Sequence, residues 1–229
     1  MEMREKLEAI AQISELMTSD MYFEDILRLI VTITAQVMGS NICSLMLLDE
    51  KRKMLEVKAT QSVSEAYNKK PPLKLGEGIA GRVALEKKPI IVKDVKEDPR
   101  YVNKEIAEKE NLSSLISLPL LVRGKTIGVL NLYTSEPRDF SPEEIQTLTA
   151  IANQAAVVIE NQRLLIESES VREELETRKK VERAKGVIMQ EFGLSEEEAY
   201  RRLQRYSMSK QKTMKEVAEA LILAWELKK

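Results

Sequence analysis

The sequence contains no histidine and a single cysteine, Cys43. Without histidine there is no Ser-His-Asp or Cys-His nucleophile system, no imidazole metal ligand and no histidine-ligated haem. One cysteine excludes an internal disulfide and a cysteine-built zinc site. Glycine and proline are scarce, 8 and 7 among 229 residues, and aromatic residues make up only 4%. Scarce glycine and proline, with 43% hydrophobic residues, argue against a disordered chain. No apolar run approaches the roughly 18 residues of a membrane span. The opening MEMREKLEAI is charged and amphipathic and has no signal-peptide core. The expectation is a cytoplasmic protein with no metal, no cofactor and no membrane partner, built to bind and signal rather than to catalyse.

What is present is charge, 32% of the chain, with 36 basic residues against 37 acidic. The balance is uneven along the chain. Residues 172–229 hold 14 Lys and Arg against 11 Asp and Glu, and within 178–215 the count is 11 against 5. Such a segment is either a solvated mixed-charge helical surface or a surface for phosphates.

Hydrophobic spacing sets the order of elements. Leu7, Ile10, Ile13, Leu16 and Met17 form a helical stripe, and Ile26, Leu29, Ile30, Ile33 and Val37 form a second that stops at Gly39. ICSLMLLD (42–49) and MLEVKAT (54–60) read as a hairpin. A polar loop at 68–72 follows, then a short helix after the glycines of LGEGIAGRVALEKKP (75–89), a strand at 89–95 and a short helix near 102–109. Residues 113–135 read as two strands turned at Arg123-Gly124-Lys125. Ser141, Pro142 and Glu144 mark a helix start with a capping box. From there to Glu191 no proline interrupts, so one long helix or two with a small break are expected. Val157, Leu164 and Val171 recur every seven residues, with Leu175 nearby and Asn161 and Ser168 near the seam: a weak, short coiled coil. Ser195 with Glu198, and Thr213 with Glu216, open two further helices.

The stretches LGEGIAGRVA (75–84), SLPLLVRGKTIGVLNLY (117–133) and DFSPEEIQTLTAIANQAAVVIEN (139–161) resemble a GAF domain over roughly residues 3–165. The resemblance implies an antiparallel sheet with helices packed on one face and a small-molecule or dimerisation role. Gly76, Gly78 and Gly81 allow turns and close backbone approach at a helix start, which either simply turns the chain or holds an anion. An unknown small molecule would meet the sheet face and its capping loops, with Ser44, Met46, Tyr101, Ser114 and Asn131 as candidates. Cys43 falls in a strand and reads as a small core residue.

Residues 178–221, RKKVERAKGVIMQEFGLSEEEAYRRLQRYSMSKQKTMKEVAEAL, are similar to an ANTAR domain. That family implies a three-helix output module that binds paired stem-loops in nascent leader RNA, favouring an antiterminator hairpin over a terminator. The resemblance implies the overall organisation as well: an α+β chain with a GAF sensor domain over 1–165, a helical linker over 150–178 overlapping its last helix, and an ANTAR domain over 172–229. Two hairpins recognised together imply a homodimer. Sequence reading of RNA falls on splayed loop bases, because a helical bundle cannot enter the narrow major groove. Candidate contacts are Arg183, Lys185, Gly186, Met189, Arg202, Arg205, Ser207, Met208, Lys210, Lys212 and Thr213. Gly186 costs about 1 kcal/mol in mid-helix relative to alanine, and either RNA or a neighbouring helix would give it a reason. Ala184, Val187, Ile188, Leu203, Val217 and Leu221 read as core, with Met208 expected to join them and Tyr200 and Tyr206 expected to be half-buried. The competing readings are a DNA-binding regulator, with the last two helices as a helix-turn-helix, and a ligand-sensing protein-interaction module.

Overall fold

The computed structural model describes residues 3–40, 42–62, 64–68 and 70–227. The chain divides into two compact units, one up to Arg163 and one from Leu164.

The first unit is built on a six-stranded antiparallel sheet. Its elements are α1 (Met3–Glu15), α2 (Phe23–Met38), β1 (Ile42–Asp49), β2 (Met54–Thr60), α3 (Glu65–Asn68), β3 (Leu73–Lys74), α4 (Gly78–Glu86), β4 (Ile90–Val92), α5 (Lys104–Lys109), β5 (Leu115–Val122) and β6 (Lys125–Tyr133). The strand order is β3-β2-β1-β6-β5-β4. The two long strands β1 and β6 lie at its centre, with Ser44 opposite Asn131 and Met46 opposite Val129. Period-two alternation sends Cys43, Leu45 and Leu47 to one face and Met46 and Leu48 to the other. On the first face α1, α2 and the start of α6 (Pro142–Phe192) cover Ile116, Leu118, Leu130 and Leu132. On the second, Tyr67, Leu73, the first turns of α4 and the chain around Tyr101 cover Leu115, Val129 and Tyr133. Helices therefore cover both faces, not one. The run ICSLMLLD already carries this feature, since a strand exposed on one side would alternate apolar with polar residues.

Two glycines of this unit are required by contact. A Cβ at Gly81 would stand 2.3 Å from the carbonyl oxygen of Lys74, and one at Gly128 would stand 2.3 Å from that of Met46. Both pack backbone on backbone, so Gly81 serves chain geometry.

Helix α6 is unbroken over 51 residues. Ser141 Oγ accepts from the Glu144 amide at 3.2 Å, and the Glu144 carboxylate accepts from the Ser141 amide at 2.8 Å. Near the end of the first unit, Gln162 donates its side-chain amide to the carbonyls of Leu16 and Met17, at 3.4 and 3.2 Å, fixing α6 to the end of α1.

The second unit is a three-helix bundle of the end of α6, α7 (Glu196–Lys210) and α8 (Met214–Glu226), with a core of Val181, Ala184, Ile188, Ala199, Leu203, Val217, Ala218 and Ile222. Gly193 closes α6 in the left-handed conformation, φ 68°. Both later helices start in complete capping boxes, Ser195 with Glu198 and Thr213 with Glu216. Ser195→Ala or Thr213→Ala should each cost this unit about 1 kcal/mol, read by urea unfolding. The boxes also tie it to pH. Hydrogen bonds from Ser195 hold the Glu198 carboxyl below its usual value, and those from the Thr213 amide, Lys212 and the Thr213 hydroxyl do the same for Glu216. A lowered folded-state value gives stability that is complete above the ordinary glutamate value of 4.5 and is lost as pH falls below it. Helical circular dichroism followed down in pH should show this loss, and Glu198→Gln with Glu216→Gln should flatten it.

Candidate functional site

Two places collect chemistry. The first is a cavity on the second face of the sheet in the first unit. Ser44, Met46, Leu115, Asn131 and Tyr133 rise from the sheet, and Tyr67, Lys70, Leu73, Ile79, Ala80 and Tyr101 close over them. Three tyrosines pack edge to face, with Tyr133 6.2 Å from Tyr67 and 6.4 Å from Tyr101 between ring centres. Tyr67 donates its hydroxyl to Ser44 Oγ at 2.9 Å, and Ser117 donates to Asn131 Oδ1 at 2.7 Å. Burial pushes all three phenols up, so they stay protonated as donors. Lys70 lays its ammonium over the Tyr67 ring, 3.4 Å from the centroid, and 3.5 Å from the Tyr101 hydroxyl. Burial lowers the Lys70 pKa to about 7, partly offset by Glu110. Ser44, Met46, Tyr101 and Asn131 thus share one cavity. Ser114 does not join them. Its hydroxyl bonds the carbonyls of Lys93 and Arg138, at 2.8 and 2.9 Å, and accepts from the Arg138 amide, tying two loops together just before β5. Lys70, in a polar stretch before two prolines, has no signal in the sequence that would set it inside a cavity.

The second place is the surface of the three-helix unit, where most of the basic residues are already paired. Lys180 meets Glu219, Arg183 meets Glu226, Arg201 meets Glu197 and Lys215 meets Glu173. Lys185 is nearly buried, its side chain 9% exposed, and its ammonium sits 2.8 Å from both Glu182 and Glu196. That pairing keeps it protonated and turns it inward, away from an incoming phosphate. Lys212 pairs with Glu216 at 3.0 Å, and Thr213 is the cap of α8. Ser207 is buried and donates to the Lys212 carbonyl at 2.6 Å, which holds the α7–α8 turn. These residues shape the bundle.

The remaining candidates lie outward. Among the described residues Arg202, Arg205 and Lys210 make no ion pair with a carboxylate. Arg202 stacks its guanidinium on Phe192, 4.1 Å from the ring centre, and Lys210 stands 5.9 Å from the Tyr206 ring. Arg202, Arg205 and Tyr206 are spaced three and four apart and share a face of α7. Tyr206 is 55% exposed and Tyr200 43%, so both are about half-buried, as expected, and part of each ring is open to solvent. Met208, expected in the core, is 72% exposed, because Ala199, Leu203 and Ser207 already fill the inner face of α7. Met189 lies at the surface. A Cβ at Gly186 would meet nothing within 4 Å, so no neighbouring helix accounts for this glycine.

On α6 the seam residues Val157, Leu164, Val171 and Leu175 are all exposed. No helix among the described residues is long and apolar enough to cross a membrane, and no group of His, Cys, Asp and Glu among them is arranged to hold a metal ion.

Residues 21–160 match the GAF domain family and residues 169–222 the ANTAR domain family. The chain is 30% identical to the transcriptional regulatory protein PdtaR of Mycobacterium tuberculosis over 178 residues, 74% of this chain and 81% of that protein. It is 25% identical to a phosphoenolpyruvate-dependent phosphotransferase system protein of Escherichia coli over 158 residues, spanning 69% of this chain but only 21% of that relative's length. The GAF domain of a phosphoenolpyruvate-protein phosphotransferase from Coxiella burnetii superposes with a TM-score of 0.63 at 25% identity, covering 70% of this chain and 96% of that domain. With a six-stranded sheet under a cavity in one unit, a three-helix bundle in the other and both family matches in the same order, the chain belongs to the GAF–ANTAR family of regulatory proteins.

Proposed function

We propose that this chain is a cytoplasmic, non-enzymatic RNA-binding regulator of the antitermination type. Its ANTAR unit binds stem-loops of nascent leader RNA, its GAF unit senses a small molecule, and it works as a homodimer with one ANTAR unit for each of two tandem hairpins. The observation that carries this reading is the α7 face. There Arg202 and Arg205 flank the exposed ring of Tyr206, while the other α7 arginine, Arg201, is paired with a carboxylate. Cations beside an exposed aromatic ring suit a nucleic acid that offers phosphates and unstacked bases together. Duplex DNA offers phosphates but no unstacked base.

The test is a gel shift at equal salt with a tandem-hairpin RNA, a single hairpin and duplex DNA. Preference for the tandem RNA is expected. Tighter binding of duplex DNA would move the function to a helix-turn-helix reading.

The dimer is supported by the exposed seam of α6. Pairing two copies in parallel would cover Val157, Leu164, Val171 and Leu175, and Asn161 and Ser168 between them would select a two-stranded register at a cost in stability. Leu164→Glu combined with Leu175→Glu should give monomers in sedimentation velocity. The same variant should lose the advantage of tandem over single hairpins, because the second contact is no longer intramolecular. A variant that remains dimeric would place the interface elsewhere.

A further inference from the structure

We infer that the cavity of the GAF unit takes a small organic acid, its carboxylate held by Lys70 and the Tyr101 hydroxyl and its apolar body by Met46, Leu73 and Leu115. This rests on the reading of that unit as a small-molecule sensor and narrows it to one ligand class.

Among the described residues the cavity wall includes one cation, Lys70, and no aspartate or glutamate. A lysine near the surface ordinarily keeps its ammonium in water and buries only its stem. Lys70 instead lays its ammonium on a ring face in the cavity wall, and that ammonium makes no ion pair among the described residues. What it has is the face of Tyr67, the more distant ring of Tyr133 at 5.5 Å, and a long contact to the Tyr101 hydroxyl. Ring faces compensate an ammonium only in part. The cavity is therefore short of one negative charge.

Its other donors point the same way. The phenols stay protonated, and the Tyr101 hydroxyl, which gives its hydrogen to Tyr133 across a long 3.4 Å, can turn it to a carboxylate. Helix α4 begins at the wall, with Ile79 and Ala80 of its first turn lining the cavity and Glu77 making no side-chain cap. The remaining lining is neutral: Ser44, Asn103 and Asn131 beside the apolar Met46, Val57, Leu73 and Leu115. A single cation suits a monoanion, whereas a phosphate monoester would bring a second charge with nothing to meet it. Free space now amounts to about 30 Å³, room for a water or two, because Lys70 and the tyrosines fill the cavity themselves. A ligand enters by lifting Lys70 from the Tyr67 ring, which couples binding to the chain between α3 and β3.

The proposal has a pH signature. Glu110 and the buried phenols of Tyr67, Tyr101 and Tyr133 are the groups around Lys70, with the Cys43 thiol behind the tyrosines. The phenols and the thiol are pushed upward and stay neutral, so Lys70 is the group that changes charge near neutral pH. A carboxylate selects its protonated form.

The experiment is isothermal titration calorimetry of the full chain with straight and branched two- to five-carbon monocarboxylates, each beside its uncharged amide. The acid should bind more tightly than its amide at about pH 6, and its affinity should fall about thirtyfold by about pH 8.5 as Lys70 loses its proton. Lys70→Met should abolish acid binding while the amide still binds, which also shows that the cavity is intact. Lys70→Arg should keep the acid with no pH dependence across this range. Equal binding of acid and amide, acid binding unchanged in Lys70→Met, or no acid bound at about 10 mM would each overturn the proposal. Amide bound with no acid bound would leave the sensor reading standing without the acid. An acid that binds as described but never alters affinity for tandem-hairpin RNA would keep the site and remove the sensor reading.

Discussion

Gly128→Ala should cost the GAF unit about 3 kcal/mol or more, a large share of its stability. The new Cβ would lie 2.3 Å from the Met46 carbonyl oxygen, 3.0 Å from Leu47 and 3.2 Å from Leu120. The side chains can shift, but the carbonyl cannot. It belongs to β1, which is bonded to β2 on one side and β6 on the other, at the centre of the sheet. Relief would require the two central strands to separate. Inserting a methyl into a packed core costs about 1–3 kcal/mol where side chains yield, and a backbone collision belongs at or above the top of that range. Domains of this size hold only about 5–15 kcal/mol in all. Urea unfolding followed by circular dichroism should show the sheet lost at far lower denaturant while the α-helical transition of the ANTAR unit stays in place. A midpoint within experimental error of the parent protein would mean that β1 and β6 lie farther apart than described.

On the RNA side the largest loss is expected from α7. Tyr206→Ala should weaken tandem-hairpin binding by about 1–3 kcal/mol if one base stacks on that ring, a loss of about 5- to 150-fold. Arg202→Ala with Arg205→Ala should lower the slope of log affinity against log salt by about 1.4–1.8, if each arginine neutralises one phosphate. Lys185→Ala is the contrasting variant. It breaks the pairs with Glu182 and Glu196, so it should reduce stability and leave the salt slope unchanged. Gly186→Ala completes the set, since an exposed helical glycine replaced by alanine should stabilise the bundle by about 1 kcal/mol. If RNA approaches there, affinity falls while stability rises, a combination that a purely structural glycine does not give. An unchanged salt slope in the arginine double variant would remove α7 from the interface.

The helix starts are legible in the sequence itself. The capping boxes at Ser141, Ser195 and Thr213 name their helix starts outright, because the signal is local: a hydroxyl and a glutamate three residues apart. The heptad positions and the Arg123-Gly124 hairpin are local in the same way. β3 is only two residues long and is defined by its pairing with Met54 and Leu55, so no pattern of its own announces it. The basic count over 178–215 has the right sign but cannot separate Lys185, turned inward onto two carboxylates, from Arg205, which is exposed. Pairing is a tertiary property: Lys185 finds Glu196 across a turn, and Lys180 and Arg183 find Glu219 and Glu226 on the last helix. Lys70 is the extreme case. Next to a proline pair it reads as loop surface, and only the three tyrosines gathered from distant parts of the chain make it an interior cation.

Cys43 lies fully buried in β1, with its thiol pushed far above the ordinary value by burial. The thiolate is the form that attacks maleimides and disulfides, so this thiol is silent toward both near neutral pH. The natural chain is thereby its own blank for site-directed labelling, with no residue to remove first. One cysteine introduced on the exposed face of α6, for instance by Ser168→Cys, becomes the sole reactive thiol. In a parallel, in-register pair it would meet its own counterpart, and a disulfide-linked species on a non-reducing gel would record strand direction and register together.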